Sequence, residues 1–110
     1  MKSSNPDVVV YRRGLTVALF AVDVVAAFGI LAQTFFIGLG NWGRYTQLVA
    51  VRDVPLYWVN IAALALLTVG IVGSVRAEYR DGHPFVAGTV LAVLSFVPLL
   101  FGVGQLAITP

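Results

Sequence analysis

The stretch GLTVALFAVDVVAAFGILAQTFFIGL, residues 14–39, decides the fold of this chain. It is apolar almost throughout, and Asp23 is its only charged residue. A helix of about 20 apolar residues crosses the ~30 Å hydrocarbon core of a bilayer. The stretch is long enough for this, so it predicts a membrane-spanning helix with one carboxyl group near its middle.

Two further runs, residues 55–75 and 84–108, carry no charged side chain at all. Backbone groups in lipid must be satisfied within the segment, so each run is expected to be a helix. The whole chain is 59% hydrophobic and 11% charged, against about 25% charged in soluble domains. We therefore predict an all-α integral membrane protein. Its three transmembrane helices pack as a small bundle or against a larger complex.

The domain prediction is a tail over residues 1–13 and one three-span membrane unit over residues 14–110. Basic residues in short loops set the orientation, because cytoplasmic loops carry more Lys and Arg. The tail and the second loop hold five of them, and the first loop holds two: Lys2, Arg12, Arg13, Arg76 and Arg80 against Arg44 and Arg52. This predicts a cytoplasmic N-terminus and an outside C-terminus, and the composition fits a bacterial plasma membrane.

Several site classes are excluded or disfavoured by composition and context. A scattered net charge of +2 argues against nucleic-acid binding, and the absence of cysteine removes thiolate metal sites. Residues 38–43 match G-x-G-x-x-G, but they follow a membrane helix and lack the βαβ context of a dinucleotide site. No catalytic or metal-binding arrangement is recognisable, so we predict neither an enzyme nor a cofactor.

The second loop, residues 76–83, is rich in polar residues. Glu78, Arg80 and Asp81 are expected to form a solvated turn, and Asp81 is expected to complement the dipole of the third helix. His83 is interpreted as a surface histidine. A role as a single haem ligand, or in a redox or quinone-binding subunit, stays open as an alternative.

Asp23 is the main candidate for function. It lies about 13 Å into its span, where an ionised carboxylate costs at least ~2.5–3.5 kcal/mol. No Lys or Arg lies within any span, so a counter-charge has to come from another chain or a bound ion. Without one, the carboxyl is expected to be protonated. Three interpretations stay open: contact with polar groups of another helix, transport of protons or ions, and tolerance through tilting of the helix.

Other residues are predicted to join helices. Polar side chains in the spans are expected to form interhelical contacts, and small residues at helical spacing are expected to form packing faces. The polar set is Gln33, Asn60, Ser95 and Gln105. The packing set is Gly70, Ser74, Gly88, Ala92 and Gly102.

Two functions follow from this pattern. The first is a non-catalytic accessory subunit of a larger membrane complex, for example an energy-transducing respiratory one, with other integral membrane subunits and the lipid bilayer as partners. The alternative is a homo-oligomeric ion or proton channel, or a small transporter, in which Asp23 lines the pathway.

Overall fold

The computed structural model describes residues 6–43 and 48–108, and these are almost entirely helical. All three long helices are long and apolar enough to cross a membrane, as the sequence predicted. The chain is a multi-pass membrane protein by this criterion. The helices are α1 (Pro6–Asn41), α2 (Pro55–Arg80) and α3 (Val86–Ile108), with a single 3-10 turn at Val51–Asp53 before α2.

The three helices form an up-down-up bundle in which each contacts the other two. Thr16 on α1 pairs with Ser74 near the far end of α2, and Tyr79 at the end of α2 pairs with Thr89 early in α3. Consecutive helices therefore run antiparallel. A short turn joins α2 to α3, and Gly82 adopts a left-handed conformation there, with φ of 81°.

The helix ends differ from the predicted boundaries. Helix α1 begins at Pro6 instead of residue 14, so most of the predicted tail is helical, and α2 continues to Arg80 instead of residue 75. The apolar runs mark only the part of each helix that suits lipid. Polar residues extend the helices beyond it, because their side chains bind one another across the bundle. Helix α3 begins at Val86, two residues after the predicted start.

The spacing of the buried residues along each helix shows which faces pack together. The buried positions of α2 alternate at intervals of four and three residues: Tyr57, Ile61, Leu64, Thr68, Ile71, Val75 and Glu78. This is the seam of left-handed helix packing. Buried positions on α1 recur every seven residues, at Thr16, Asp23 and Ile30.

Large apolar side chains point outward rather than inward. Val25, Leu66 and Val69 are each about 70% exposed, whereas the inward face of α3 is made of Gly88, Ala92, Ser95 and Gly102. Small residues allow close helix approach. Burying leucine between membrane helices gains no hydrophobic free energy, because lipid chains are as apolar as leucine. The distribution fits a bundle surrounded by hydrocarbon.

Candidate functional site

Asp23 lies on the inward face of α1 and is only 1% exposed. The position of Asp23 along the bundle axis can be found from a contact between α1 and α2: the hydroxyl oxygens of Thr16 and Ser74 are 2.6 Å apart. Seven residues along α1 from Thr16 lead to Asp23, and six residues back along α2 from Ser74 lead to Thr68, about 10 Å in both cases. Asp23 and Thr68 therefore lie at the same depth.

The neighbouring hydroxyl groups at this depth cannot serve a carboxylate. Thr68 donates its hydroxyl hydrogen to the Ser95 carbonyl at 3.2 Å, and Ser95 donates its own to the Ala92 carbonyl at 2.6 Å. Both hydroxyls can then only accept, and an ionised carboxylate can also only accept. Within the described ranges, Asp23 Oδ1 is buried and has no hydrogen-bond partner.

A groove between α1 and α3 leads to Asp23. Its first cavity, of about 330 Å³, is lined by Asp23 together with Phe20 and Phe28 of α1 and Leu94 and Pro98 of α3. A second cavity of about 260 Å³ adjoins it further along the same seam and is apolar. We call the two together the α1–α3 groove. Several of its wall residues are exposed on the bundle surface, so the groove opens toward the bilayer.

Pro98 changes the backbone hydrogen bonding of α3 beside this groove. Proline has no amide hydrogen, so the carbonyl of Leu94, four residues earlier, loses the bond it would accept in a regular helix. Helix α3 nevertheless runs unbroken through Pro98. Leu94 and Pro98 both line the cavity that Asp23 lines, so the carbonyl that Pro98 leaves without its regular helical donor lies on the face of α3 beside that cavity.

The predicted polar residues separate into different sites. The Asn60 side chain, with its amide oriented to suit its surroundings, donates to the Ala26 carbonyl at 3.2 Å and accepts from Gln33 Nε2 at 3.1 Å. Gly29 leaves room for this amide, since a Cβ there would lie 2.8 Å from it. Gln105 lies elsewhere, in a cavity beside the loop that follows α1. Neither group is connected to Asp23.

The predicted packing residues lie where helices approach closely. The Tyr57 hydroxyl donates to the Gly102 carbonyl at 3.0 Å, joining α2 to α3. A Cβ on Gly70 would lie 3.2 Å from Leu19 of α1. Gly88 is buried on α3, but a Cβ there would overlap the ring of Phe85, three residues earlier in the chain, so this tight contact is local. Ser74 also belongs to the α1–α2 contact, through its pairing with Thr16.

Sequence reasoning missed an ionic cluster, which consists of Arg12, Arg13, Glu78 and Asp81. Glu78 has no exposed surface and pairs with Arg12 at 3.0 Å and with Arg13 at 3.4 Å. The prediction of a solvated turn was wrong for Glu78, because this residue continues the buried spacing of α2. That spacing was the signal that could have found it.

Asp81 also differs from its expected role. Its amide closes the end of α2 by donating to the Ala77 carbonyl, and its side chain binds Arg12 at 2.5 Å instead of complementing α3. The hydrogen bond from the Arg12 guanidinium holds the pKa of the Asp81 carboxyl below its usual value. Arg13 also lies over the Phe85 ring, 4.8 Å from its centre.

His83 sits at the edge of this cluster. Its amide donates to the Glu78 carbonyl at 2.9 Å. Across residues 6–43 and 48–108, no three His, Cys, Asp or Glu side chains lie close enough to hold a metal ion. The glycines of the G-x-G-x-x-G match also have structural roles: Gly38 and Gly40 lie in α1, and Gly43 turns the chain with φ of 81°.

No protein-family model, no curated protein and no solved structure matches this chain.

Proposed function

We propose that this chain is a non-catalytic accessory subunit of a larger membrane complex, and that another integral membrane subunit binds in the α1–α3 groove. The observation that carries the proposal is Asp23, a buried carboxyl whose Oδ1 has no partner among the described residues. Burying an unsatisfied polar group costs free energy unless a partner supplies the missing bond. A subunit that supplies a donor removes that cost.

The shape of the groove supports a helix as the bound element. Its lining on α1 extends from Phe20 to Leu31, about 16 Å along the helix axis. Lipid chains can fill an apolar groove of this length, but they offer no hydrogen-bond donor at the depth of Asp23. A transmembrane helix from another subunit can provide both the apolar surface and the donor.

The proposed setting is a bacterial plasma membrane, with the ionic cluster on the cytoplasmic side. Arg12, Arg13, Arg76 and Arg80 all lie at that end of the bundle. Acidic partners do not cancel their influence, because the positive-inside rule counts Lys and Arg rather than net charge. The N-terminus is then cytoplasmic and the C-terminus is outside.

The test is extraction of the chain in mild detergent, with a tag at its C-terminus, followed by native mass measurement. We expect stoichiometric larger subunits with the wild type and their loss with Asp23→Leu. Val69→Leu, an exposed position on α2, is the matched control and is expected to keep them. A homogeneous self-assembly with nothing else bound would contradict the proposal.

A second candidate is a homo-oligomeric channel or small transporter, which is favoured by the polar layer of Asp23, Thr68 and Ser95. A buried hydrophobic cluster that includes Ile30, Tyr57, Ile61 and Leu64 fills the bundle beyond this layer, so a pathway would have to run between copies. Ion or proton flux in vesicles of the purified chain, lost in Asp23→Asn with assembly intact, would select this function instead.

A further inference from the structure

We infer that the groove binds a transmembrane helix that inserts a lysine ammonium group between Asp23 and the Leu94 carbonyl. This inference rests on the proposed function and names the chemistry of the partner. Asp23, whose Oδ1 has no partner among the described residues, lines one cavity of about 330 Å³ together with Leu94 and Pro98. Pro98 cannot give the Leu94 carbonyl its regular amide donor, so α3 carries a second acceptor beside this cavity. An ammonium group carries three donors and a positive charge, so it can serve both.

Charge complementarity selects a cationic partner. Asp23 is the only charged residue in the three predicted spans, so nothing at its depth within the chain can neutralise it. A cation in the groove would allow the carboxyl to ionise and would satisfy the carbonyl that Pro98 leaves without its amide donor. Phe20 and Phe28 line the same cavity, and aromatic rings attract ammonium groups through their faces.

The occupant has to be a different chain. A second copy of this protein has no Lys or Arg within its predicted spans, so it cannot present a cation at the depth of Asp23. Lysine suits the site better than arginine for a geometric reason. The guanidinium group is a planar fork with five donors, whereas the cavity offers the acceptors of one carboxyl and one carbonyl.

The test uses synthetic transmembrane peptides in phosphatidylcholine vesicles at neutral pH. One peptide is a Leu/Ala helix with a single central lysine, and its control has leucine at that position. The chain has no cysteine, so Ile108→Cys, at an exposed position on α3, gives one labelling site for energy transfer to a labelled peptide. The affinity of each peptide is read from a titration.

We expect the lysine peptide to bind about tenfold more tightly than the leucine peptide, and Asp23→Asn to abolish the difference. Pro98→Ala supplies an amide hydrogen to the Leu94 carbonyl while leaving Asp23 in place, and it is expected to weaken lysine-peptide binding about threefold. Asp81→Asn, outside the groove, is the control and should bind as the wild type does. Circular dichroism checks that each variant remains helical.

Equal binding of the two peptides to the wild type, or an undiminished lysine preference in Asp23→Asn, would overturn the inference. Energy transfer between labelled copies of this chain that depends on Asp23 would also overturn it, in favour of self-association. If native subunits co-purify but the lysine peptide has no advantage, the lysine assignment is wrong and the accessory role stands. A lysine preference without any co-purifying subunit supports the site and contradicts the accessory role.

Discussion

Glu78 and Asp23 are two fully buried carboxyl groups in opposite environments. Glu78 is paired with two arginines of α1, and the contact closes one end of the bundle. Asp23 lies in the middle of the bundle, beside a groove and without a donor for Oδ1 in the part of the chain that the structure describes. Glu78 has its counter-charges within this chain, although its Oε1 accepts no hydrogen bond among the described residues, whereas Asp23 has no ion pair there.

The same difference separates the helix interfaces. Helix α2 is joined to α1 through Asn60 and Ser74, and to α3 through Tyr57 and Thr68. The seam between α1 and α3 contains both cavities near Asp23. A cavity of about 400 Å³ also lies between α2 and α3, but the Thr68 hydroxyl that lines it has its hydrogen-bond partner. Changes to these interhelical hydrogen bonds should therefore reduce the stability of the isolated chain, whereas changes at the α1–α3 seam should act on association.

The largest loss is expected from Glu78→Ala. This change leaves Arg13 without its buried partner and Arg12 with Asp81 alone, and breaking a fully buried ion pair costs about 3–5 kcal/mol. Both arginines reach solvent here, so we expect a loss of about 2–3 kcal/mol in the free energy of unfolding. Reversible unfolding in mixed micelles measures it. A loss below about 0.5 kcal/mol would mean that the ionic cluster does not close the bundle.

A loss of about 2 kcal/mol is expected from Gly29→Val, because overpacking typically costs 1–3 kcal/mol. The new Cβ would lie 2.8 Å from the Asn60 amide at the α1–α2 interface. Gly38→Val is the matched control on the same helix, since a Cβ there meets nothing within 4 Å. Equal effects of the two substitutions in the same unfolding assay would argue against the tight approach at Gly29.

Tyr57→Phe is expected to cost about 1 kcal/mol, the usual net value of a buried hydrogen bond. It removes the bond to the Gly102 carbonyl and keeps the ring in place. Tyr79→Phe is the control, because its hydroxyl bonds Thr89 at the exposed surface. If Tyr79→Phe destabilises the chain more than Tyr57→Phe does, the hydrogen bond of Tyr57 does not join α2 to α3 as the structure shows.

A smaller decrease in the free energy of unfolding is expected when the pH is lowered. The folded-state pKa of Asp81 lies below its unfolded value of about 3.9, so its ion pair with Arg12 contributes fully above that value. The contribution is lost as pH falls through the folded-state pKa. Unfolding measured from pH 6 downward should show this loss in the wild type, and Asp81→Asn should remove that component. An unchanged acid profile in Asp81→Asn would contradict the assignment.

The sequence predicted the three helices because an apolar run of this length has few alternatives. It did not predict the helix ends near Arg12 and Glu78. These two residues extend their helices beyond the apolar runs, and they form an ion pair although they are 66 residues apart in the sequence. It identified Asp23 as costly, because depth and charge can be read from a single segment. The groove beside it could not be predicted, since that depends on which faces of α1 and α3 meet.

The central claim is that Asp23 Oδ1 has no hydrogen-bond partner within residues 6–43 and 48–108, and the free energy of unfolding of isolated Asp23→Asn tests it most directly. Asparagine matches a protonated aspartic acid in shape, so we expect a change within about 0.5 kcal/mol of the wild type, as for substitutions that break no contact. Glu78→Gln, measured in parallel, should lose clearly more. A loss in Asp23→Asn as large as that in Glu78→Gln would show that Asp23 is an internal structural contact and would contradict the claim.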